Sequence, residues 1–359
     1  MRVMIVTDAW LPQVNGVVRS LLETVRELRA MGHEVALLTP LGGEHDNGEA
    51  FTTLPLPSYP DIRIALFPYR KVAQSLAAFN ADAVHIATEG PLGWAARRWC
   101  LRHKQPFSTA YHTRFPEYIA ARIRLPLGIS YAFMRHFHAP AAAVMAPTPS
   151  IVRALRERGF GNVVLWGRGV DTTLFSPGER ERLDDSAPPR FVYIGRVAVE
   201  KNIEAFLQLD LPGSKWVVGE GPQLDELRQR YPQVHFAGVF PQHELARFYR
   251  AADVFVFPSL TDTFGLVLLE AMACGTPVAA YPVAGPLDVV GNSGGGVLHQ
   301  DLRLACLQAL ALDRDQVRRI AERFSWAEAT RQFAANLNPR PRPASGVAAS
   351  HATASGKVR

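Results

Sequence analysis

Cysteine is scarce in this chain: Cys100, Cys274 and Cys306 are the only three among 359 residues. None pair at metal-ligand spacing, and three scattered thiols build no disulfide framework. A disulfide-stapled scaffold is excluded, and a reducing, cytoplasmic compartment is the expectation. Long apolar runs are also missing. None reaches the roughly 18 residues that cross a bilayer, and the opening Met1-Arg2-Val3-Met4-Ile5-Val6-Thr7-Asp8 lacks the apolar core of a signal peptide. No repeat with a period of roughly 20–50 residues is visible. The first strand-to-helix loop has no G-x-G-x-x-G, which argues against a dinucleotide-dependent dehydrogenase. What remains, at 48% hydrophobic and 20% charged residues, is a soluble globular protein long enough for two domains.

Acidic residues are unevenly missing. Residues 90–160 hold 11 Lys/Arg and 2 Asp/Glu, whereas residues 176–338 hold 16 and 20. A basic patch on one half suits an anionic partner: phosphate, nucleic acid or a membrane surface.

Short β-branched runs alternate with helical patterns. Val3–Val6 is followed by an amphipathic stretch, Val17–Met31, that Gly32 stops, and then by Val35–Thr39. Ala83–Ala87, Phe107–Tyr111, Ala142–Ala146 and Val163–Leu165 continue the series. Ser176-Pro177-Gly178 opens a polar stretch to Pro188-Pro189, of linker composition. The alternation then restarts with strands at Phe191–Ile194, Trp216–Val218, His235–Ala237, Val254–Phe257 and Pro277–Tyr281, and helices at Asn202–Leu209, Leu266–Cys274 and Trp326–Leu337. The expected fold class is α/β: two tandem Rossmann-like, doubly wound domains facing across a cleft. The division is 1–175, a linker over 176–189, 190–324, a C-terminal helix over 325–338 packing back toward the first domain, and a disordered tail over 339–359.

Four segments carry chemistry. Asp262 and Glu270 stand eight apart, about two helical turns, with Gly265 at a helix start whose N–H groups favour phosphate. A capped amphipathic helix explains the same spacing. Gly195-Arg196 ends a strand and Lys201 follows, two cations able to neutralise a diphosphate without a metal; a solvated loop is the plainer reading. Asn15-Gly16 before the first helix makes an anion-binding turn or a plain one. His112, at a strand end, faces the cleft or is structural. Asp313-Arg314-Asp315 has the form of a metal site but falls in a helical stretch, and Gly294-Gly295-Gly296 reads as a loop.

In this order the segments resemble family 4 of the retaining glycosyltransferases with the GT-B fold, over about residues 1–337. Asp262…Glu270 stands where that family carries E-x7-E, Gly195-Arg196 with Lys201 resembles its diphosphate clamp, and Val218-Gly219-Glu220-Gly221-Pro222 and Phe236-Ala237-Gly238-Val239 resemble its strand ends. Pro12-Gln13-Val14-Asn15-Gly16, Tyr111-His112-Thr113 and Arg168-Gly169-Val170-Asp171 are similar to GDP-mannose-dependent α-mannosyltransferases and sulfoquinovosyl-diacylglycerol synthases. Asp262 departs by one methylene from the usual Glu, and Val199 replaces a common Pro.

The resemblance implies roles. Gly16, Arg196, Lys201 and the N–H groups of Phe264, Gly265, Leu266 and Val267 hold a donor diphosphate. Glu270 holds the ribose, Val239 the base, and Asp262 and His112 the sugar; Asn15 and Gly195 complete the donor site. The implied partners are a nucleotide sugar and a lipid or glycan acceptor. Residues 118–138, apolar with Arg122, Arg124 and Arg135 among them, either meet an anionic membrane surface peripherally or simply pack the N-terminal domain. No cofactor and no metal are expected. A sugar-nucleotide epimerase on the same fold and a nucleic-acid-binding protein are the competing classes. The clamp and the acid pair argue against the first, and the lack of a recognised motif against the second.

Overall fold

The computed structural model describes residues 1–339 apart from 14, 44–49, 57–58, 115, 118–125, 182 and 184–186. The tail expected from 339 onward therefore lies outside the described residues from 340, as do part of the linker and the first eight positions of the 118–138 stretch.

The N-terminal sheet is built from β1 (Arg2–Val6), β2 (Glu34–Thr39), β3 (Gly42–Gly43), β6 (Ala83–Ile86), β7 (Phe107–Ala110), β8 (Ala143–Ala146) and β9 (Val163–Leu165), in the order β3-β2-β1-β6-β7-β8-β9. All neighbours run parallel except β2 and β3. A separate antiparallel hairpin pairs β4 (Thr53–Leu56) with β5 (Tyr59–Ala65). The second sheet is parallel throughout, in the order β12-β11-β10-β13-β14-β15, from β10 (Arg190–Ile194), β11 (Ser214–Val218), β12 (His235–Gly238), β13 (Val254–Phe257), β14 (Val278–Ala280) and β15 (Gly296–Leu298). Helices cover both faces, which is why the central strands are apolar without alternation. The expected pair of doubly wound α/β sheets is present.

Order reverses beside β1 in one sheet and beside β10 in the other. Such switch points open a crevice beyond the strand ends. The chain leaves β1 into Asp8, β10 into Gly195-Arg196 and β13 into Asp262. Backbones crowd there: a Cβ on Gly219, where φ is +138°, would stand 2.0 Å from the carbonyl oxygen of Gly195.

Three helices flank β1 and β6: α1 (Gly16–Ala30), α2 (Tyr69–Phe79) and α3 (Pro91–Arg102). The Asn15 carboxamide caps α1, accepting from the N–H groups of Val17 and Val18. Asp8 caps α3, accepting from Leu92 N at 2.9 Å and Gly93 N at 3.3 Å, so α3 starts at the cleft. The expected helix at Asn202–Leu209 is shorter, Glu204–Leu207, behind a 3-10 turn at Val199–Lys201. Asn202 separates them at φ +51° and donates through its side chain to Pro258 O at 3.0 Å. Gly296, read as loop, begins β15. Its Cβ would meet Val278 O at 2.3 Å, so the strand depends on having no side chain there.

The last described helix, Trp326–Ala335, crosses back to the first sheet. Phe333 is fully buried with Val3, Ile5, Leu21, Leu28 and Trp166, at 4.8 Å from the rings of both His85 and Trp166. Truncating such a ring removes its transfer energy and leaves a cavity. Phe333→Ala should lower unfolding stability by about 3–4 kcal/mol in urea melts; a loss under about 1 kcal/mol would show that the helix is not part of this core.

Candidate active site

Two helix N-termini converge on the cleft from opposite sheets. Gly16 opens α1, and Gly265, at φ +86°, precedes the helix Leu266–Ala273. A Cβ on Gly16 would reach Leu266 Cδ1 at 3.9 Å. A Cβ on Gly265 would press on Leu268 and Phe257 at 3.0–3.1 Å, so the sharp entry demands glycine. The first N–H groups of each helix have no partner within the helix and carry its positive dipole end.

An ion pair joins these helices. Arg19 Nη1 stands 2.6 Å from Glu270 Oε1, and the Tyr249 hydroxyl donates to Glu270 Oε2 at 2.8 Å. Glu270 is 4% exposed, so burial requires both partners. Thr263 adds a second crossing bond, donating its hydroxyl to His112 O at 2.7 Å, and Ser150 a third, to Asp288 at 2.9 Å.

Lys201 Nζ lies 2.6 Å from Asp262 Oδ1. The other carboxylate oxygen, Oδ2, is buried with no hydrogen-bond partner. Arg196 sits at the end of β10, its carbonyl accepting from the Tyr193 hydroxyl at 2.7 Å. Across the cleft, His112 Nδ1 faces Arg168 Nη2 at 3.2 Å. Guanidinium only donates, so Nδ1 accepts and the neutral ring carries its proton on Nε2. That nitrogen too is buried without a partner. Burial pushes the imidazole well below its ordinary range, and Arg168, His85 and His138 reinforce the shift. Arg168 itself is 5% exposed, donates to Trp166 O at 2.7 Å and Gly167 O at 2.9 Å, and lies 4.0 Å over the Trp166 ring. Burial weakens its hold on the proton, but it stays charged at neutral pH.

The structure therefore brings Gly16, His112, Gly195, Arg196, Lys201, Asp262 and Phe264–Val267 to facing strand and helix ends. Val239 is half exposed just past β12. Asn15 is at the site, but its carboxamide oxygen is spent on capping and its Nδ2 donates to Gln13 Oε1 at 3.3 Å. Glu270 is occupied by Arg19 and Tyr249 in this state. Asp313 caps the helix Arg314–Ala321. Residue-by-residue reading missed the parts of Arg19, Tyr249 and Arg168. For Arg19 the one signal is its place one turn into α1; for Arg168, its place directly before Gly169.

A cleft between two Rossmann-like sheets, with paired helix N-termini, two cations and two unpartnered polar atoms, defines a glycosyltransferase of the GT-B architecture. The family model described as Glycosyltransferase Family 4 matches residues 14–174, and that described as Glycosyl transferases group 1 matches residues 188–311. A GDP-mannose-dependent alpha-mannosyltransferase of Mycolicibacterium smegmatis is 32% identical over 322 residues, covering 83% of this chain and 84% of the relative. Sulfoquinovosyl transferase SQD2 of Arabidopsis thaliana is 29% identical, covering 77% of this chain and 58% of the relative. Among solved structures, a sucrose-phosphate synthase from Thermosynechococcus elongatus superposes with a TM-score of 0.73 at 22% identity, over 93% of this chain and 97% of that one. The chain belongs to glycosyltransferase family 4, and it transfers a sugar to a lipid or glycan acceptor.

The His112 arrangement is directly testable. In 15N-histidine spectra between about pH 6 and 8, spanning the ordinary imidazole range, His112 should stay neutral with its proton on Nε2. Arg168→Met, which has no donor, should release the ring to the other tautomer and lower kcat/KM about tenfold or more, the size of a lost charged hydrogen bond. Ordinary titration of His112 in the wild type, or an unchanged tautomer in the variant, would contradict the arrangement.

Proposed function

We propose that this chain is a retaining, metal-independent hexosyltransferase that moves an α-mannosyl group from GDP-mannose to a lipid or glycan hydroxyl. The observation that carries the reading is the pair of buried, unpartnered atoms at the mouth of the cation cluster, Asp262 Oδ2 and His112 Nε2. One accepts and one donates, and Thr263 bridges their neighbourhoods through His112 O. Buried polar atoms are almost always paired, so two orphans in one cleft suit a ligand rich in hydroxyls.

In this reading the donor diphosphate lies between the N-terminus of α1 and that of the helix Leu266–Ala273, with Gly16, Arg196, Lys201 and the N–H groups of Phe264–Val267 around it. The bond from the anomeric carbon to the diphosphate breaks while that carbon bonds the acceptor oxygen, and the acceptor's proton passes to the released diphosphate. Negative charge grows on the leaving group as the bond lengthens. Fixed cations and helix ends gain most at that moment, which is differential stabilisation of the transition state. The ribose hydroxyls donate to Glu270 beside Arg19, and Val239 meets the base.

The 83–84% mutual coverage with the mannosyltransferase supports GDP-mannose. The likeness to the sulfoquinovosyl transferase supports a second reading, a UDP-sugar-dependent glycolipid synthase. No helix among the described residues is long and apolar enough to cross a membrane. We place the protein in the cytoplasm, with the basic N-terminal domain in peripheral contact with the inner membrane face.

GDP-mannose should raise the melting temperature more than UDP-glucose, UDP-glucuronate or UDP-sulfoquinovose, by mass action on the folded state. Turnover should persist in excess EDTA; activity that EDTA abolishes and Mg²⁺ or Mn²⁺ restores would contradict the metal-free cluster. Arg196→Ala and Lys201→Ala should each lower kcat/KM by about 10²–10³, the range for preorganised electrostatic donors. Either variant retaining half the wild-type activity would remove that residue from the cluster.

A further inference from the structure

A cavity of about 900 Å³ lies along the outer flank of the N-terminal domain, between α2 and α3 and outside the strand-end cleft. Its walls combine Arg70, Arg97, Arg98 and Arg102 with Phe67, Tyr69 and Trp94. α2 and α3 carry no Asp or Glu at all. Among the described residues, none of the four guanidinium groups pairs with a carboxylate. Arg97 donates to the carbonyls of His136 and Phe137, both at 2.9 Å, and Arg102 to the Tyr69 hydroxyl at 3.2 Å. A cavity with several cations and no acid is built for an anion.

The rim is apolar and strained. Phe67 is 96% exposed and held at φ +47°, a left-handed conformation that a bulky residue rarely adopts. Leu101 is also exposed on the wall, and half-exposed Phe133 packs on Trp94 at 5.5 Å. Guanidinium groups beside projecting apolar side chains match a lipid interface, where phosphate meets acyl chain. Nucleic acid suits the cavity less well. Arg98 already covers the Tyr69 ring at 4.6 Å, and Arg97 and His136 cover Trp94 at 5.0 and 5.8 Å, so the ring faces are not open to bases.

We propose that this cavity is a binding site for the phosphate headgroup of an anionic membrane phospholipid, with Phe67 and Leu101 entering the acyl boundary. It deepens the peripheral placement proposed above and rests on it, moving the main contact from residues 118–138 to α2, α3 and the Phe67 turn. Because Asp8 fixes the N-terminus of α3 at the cleft, a lipid surface held on this flank lies along a helix that leads to the reaction site.

Co-sedimentation of the full chain with vesicles tests the site. Binding should be strong with phosphatidylglycerol in phosphatidylcholine, weak with phosphatidylcholine alone, and lost in high salt. Arg98→Glu with Arg102→Glu should lower partitioning at least about tenfold, since each basic residue near such a surface is worth about fivefold. Phe67→Ser, on an exposed turn, should lower it severalfold without touching charge. The melting-temperature shift given by GDP-mannose should survive in all variants, showing an intact cleft. A wild-type protein that GDP-mannose fails to shift would sink the donor assignment alone, since the vesicle comparison reads the flank separately. Absence of wild-type binding, unchanged binding of the double variant, an equal thermal shift with soluble glycerol phosphate, or tighter binding of a single-stranded RNA oligonucleotide would overturn the lipid site.

Discussion

The contact on which the rest depends is the ion pair between Arg19 and Glu270. Glu270 is almost wholly buried, and a buried carboxylate without a counter-charge would cost several kcal/mol. The pairing cation comes from the other sheet, one turn into α1. The demand for a partner therefore holds two helix N-termini opposite each other, with Gly16 and Leu266 in near contact. Facing dipole ends repel until something negative lies between them. The same geometry that closes the cleft thus suits it to an anion.

Around that anion site the chain keeps two kinds of polar group apart. Lys201 and Arg196 supply permanent charge from the β10 side. His112 supplies a neutral N–H, because burial and the charge of Arg168 keep it from protonating. Its tautomer follows from the one thing guanidinium can do, which is donate. A neutral donor can hold a sugar hydroxyl without competing with the clamp for the diphosphate, and Asp262 divides its two oxygens the same way, one for Lys201 and one left open.

Much of this was legible in residue pattern. The strands that stand in the sheet centres are continuous β-branched or apolar runs, and Val163–Leu165 and Val254–Phe257 were located to the residue. What escaped was short or local. β3 has two residues, β15 has three and starts on glycine, and the β4–β5 hairpin lacks a clean alternation. Arg196, His112 and Asp262 could be placed at the cleft because each lies just past a strand end, whereas Glu270 follows inside the next helix. Arg19 and Arg168 could not, because their partners lie 251 and 56 residues away and only the fold brings them together. Asn15 shows the converse: its type and place suited an anion turn, yet the helix start claims its side chain.

The central claim is that a nucleoside diphosphate sits between the two helix ends, held by the chain alone. A crystal structure of the protein with GDP, grown once in EDTA and once in Mn²⁺, tests it most directly. The account predicts the same pose in both: phosphate oxygens within about 2.7–3.2 Å of Lys201 Nζ, the Arg196 guanidinium and the N–H groups of Leu266 and Val267, with ribose hydroxyls on Glu270 beside Arg19. A diphosphate bridged to the protein by manganese, or one bound away from the start of the helix Leu266–Ala273, would contradict it.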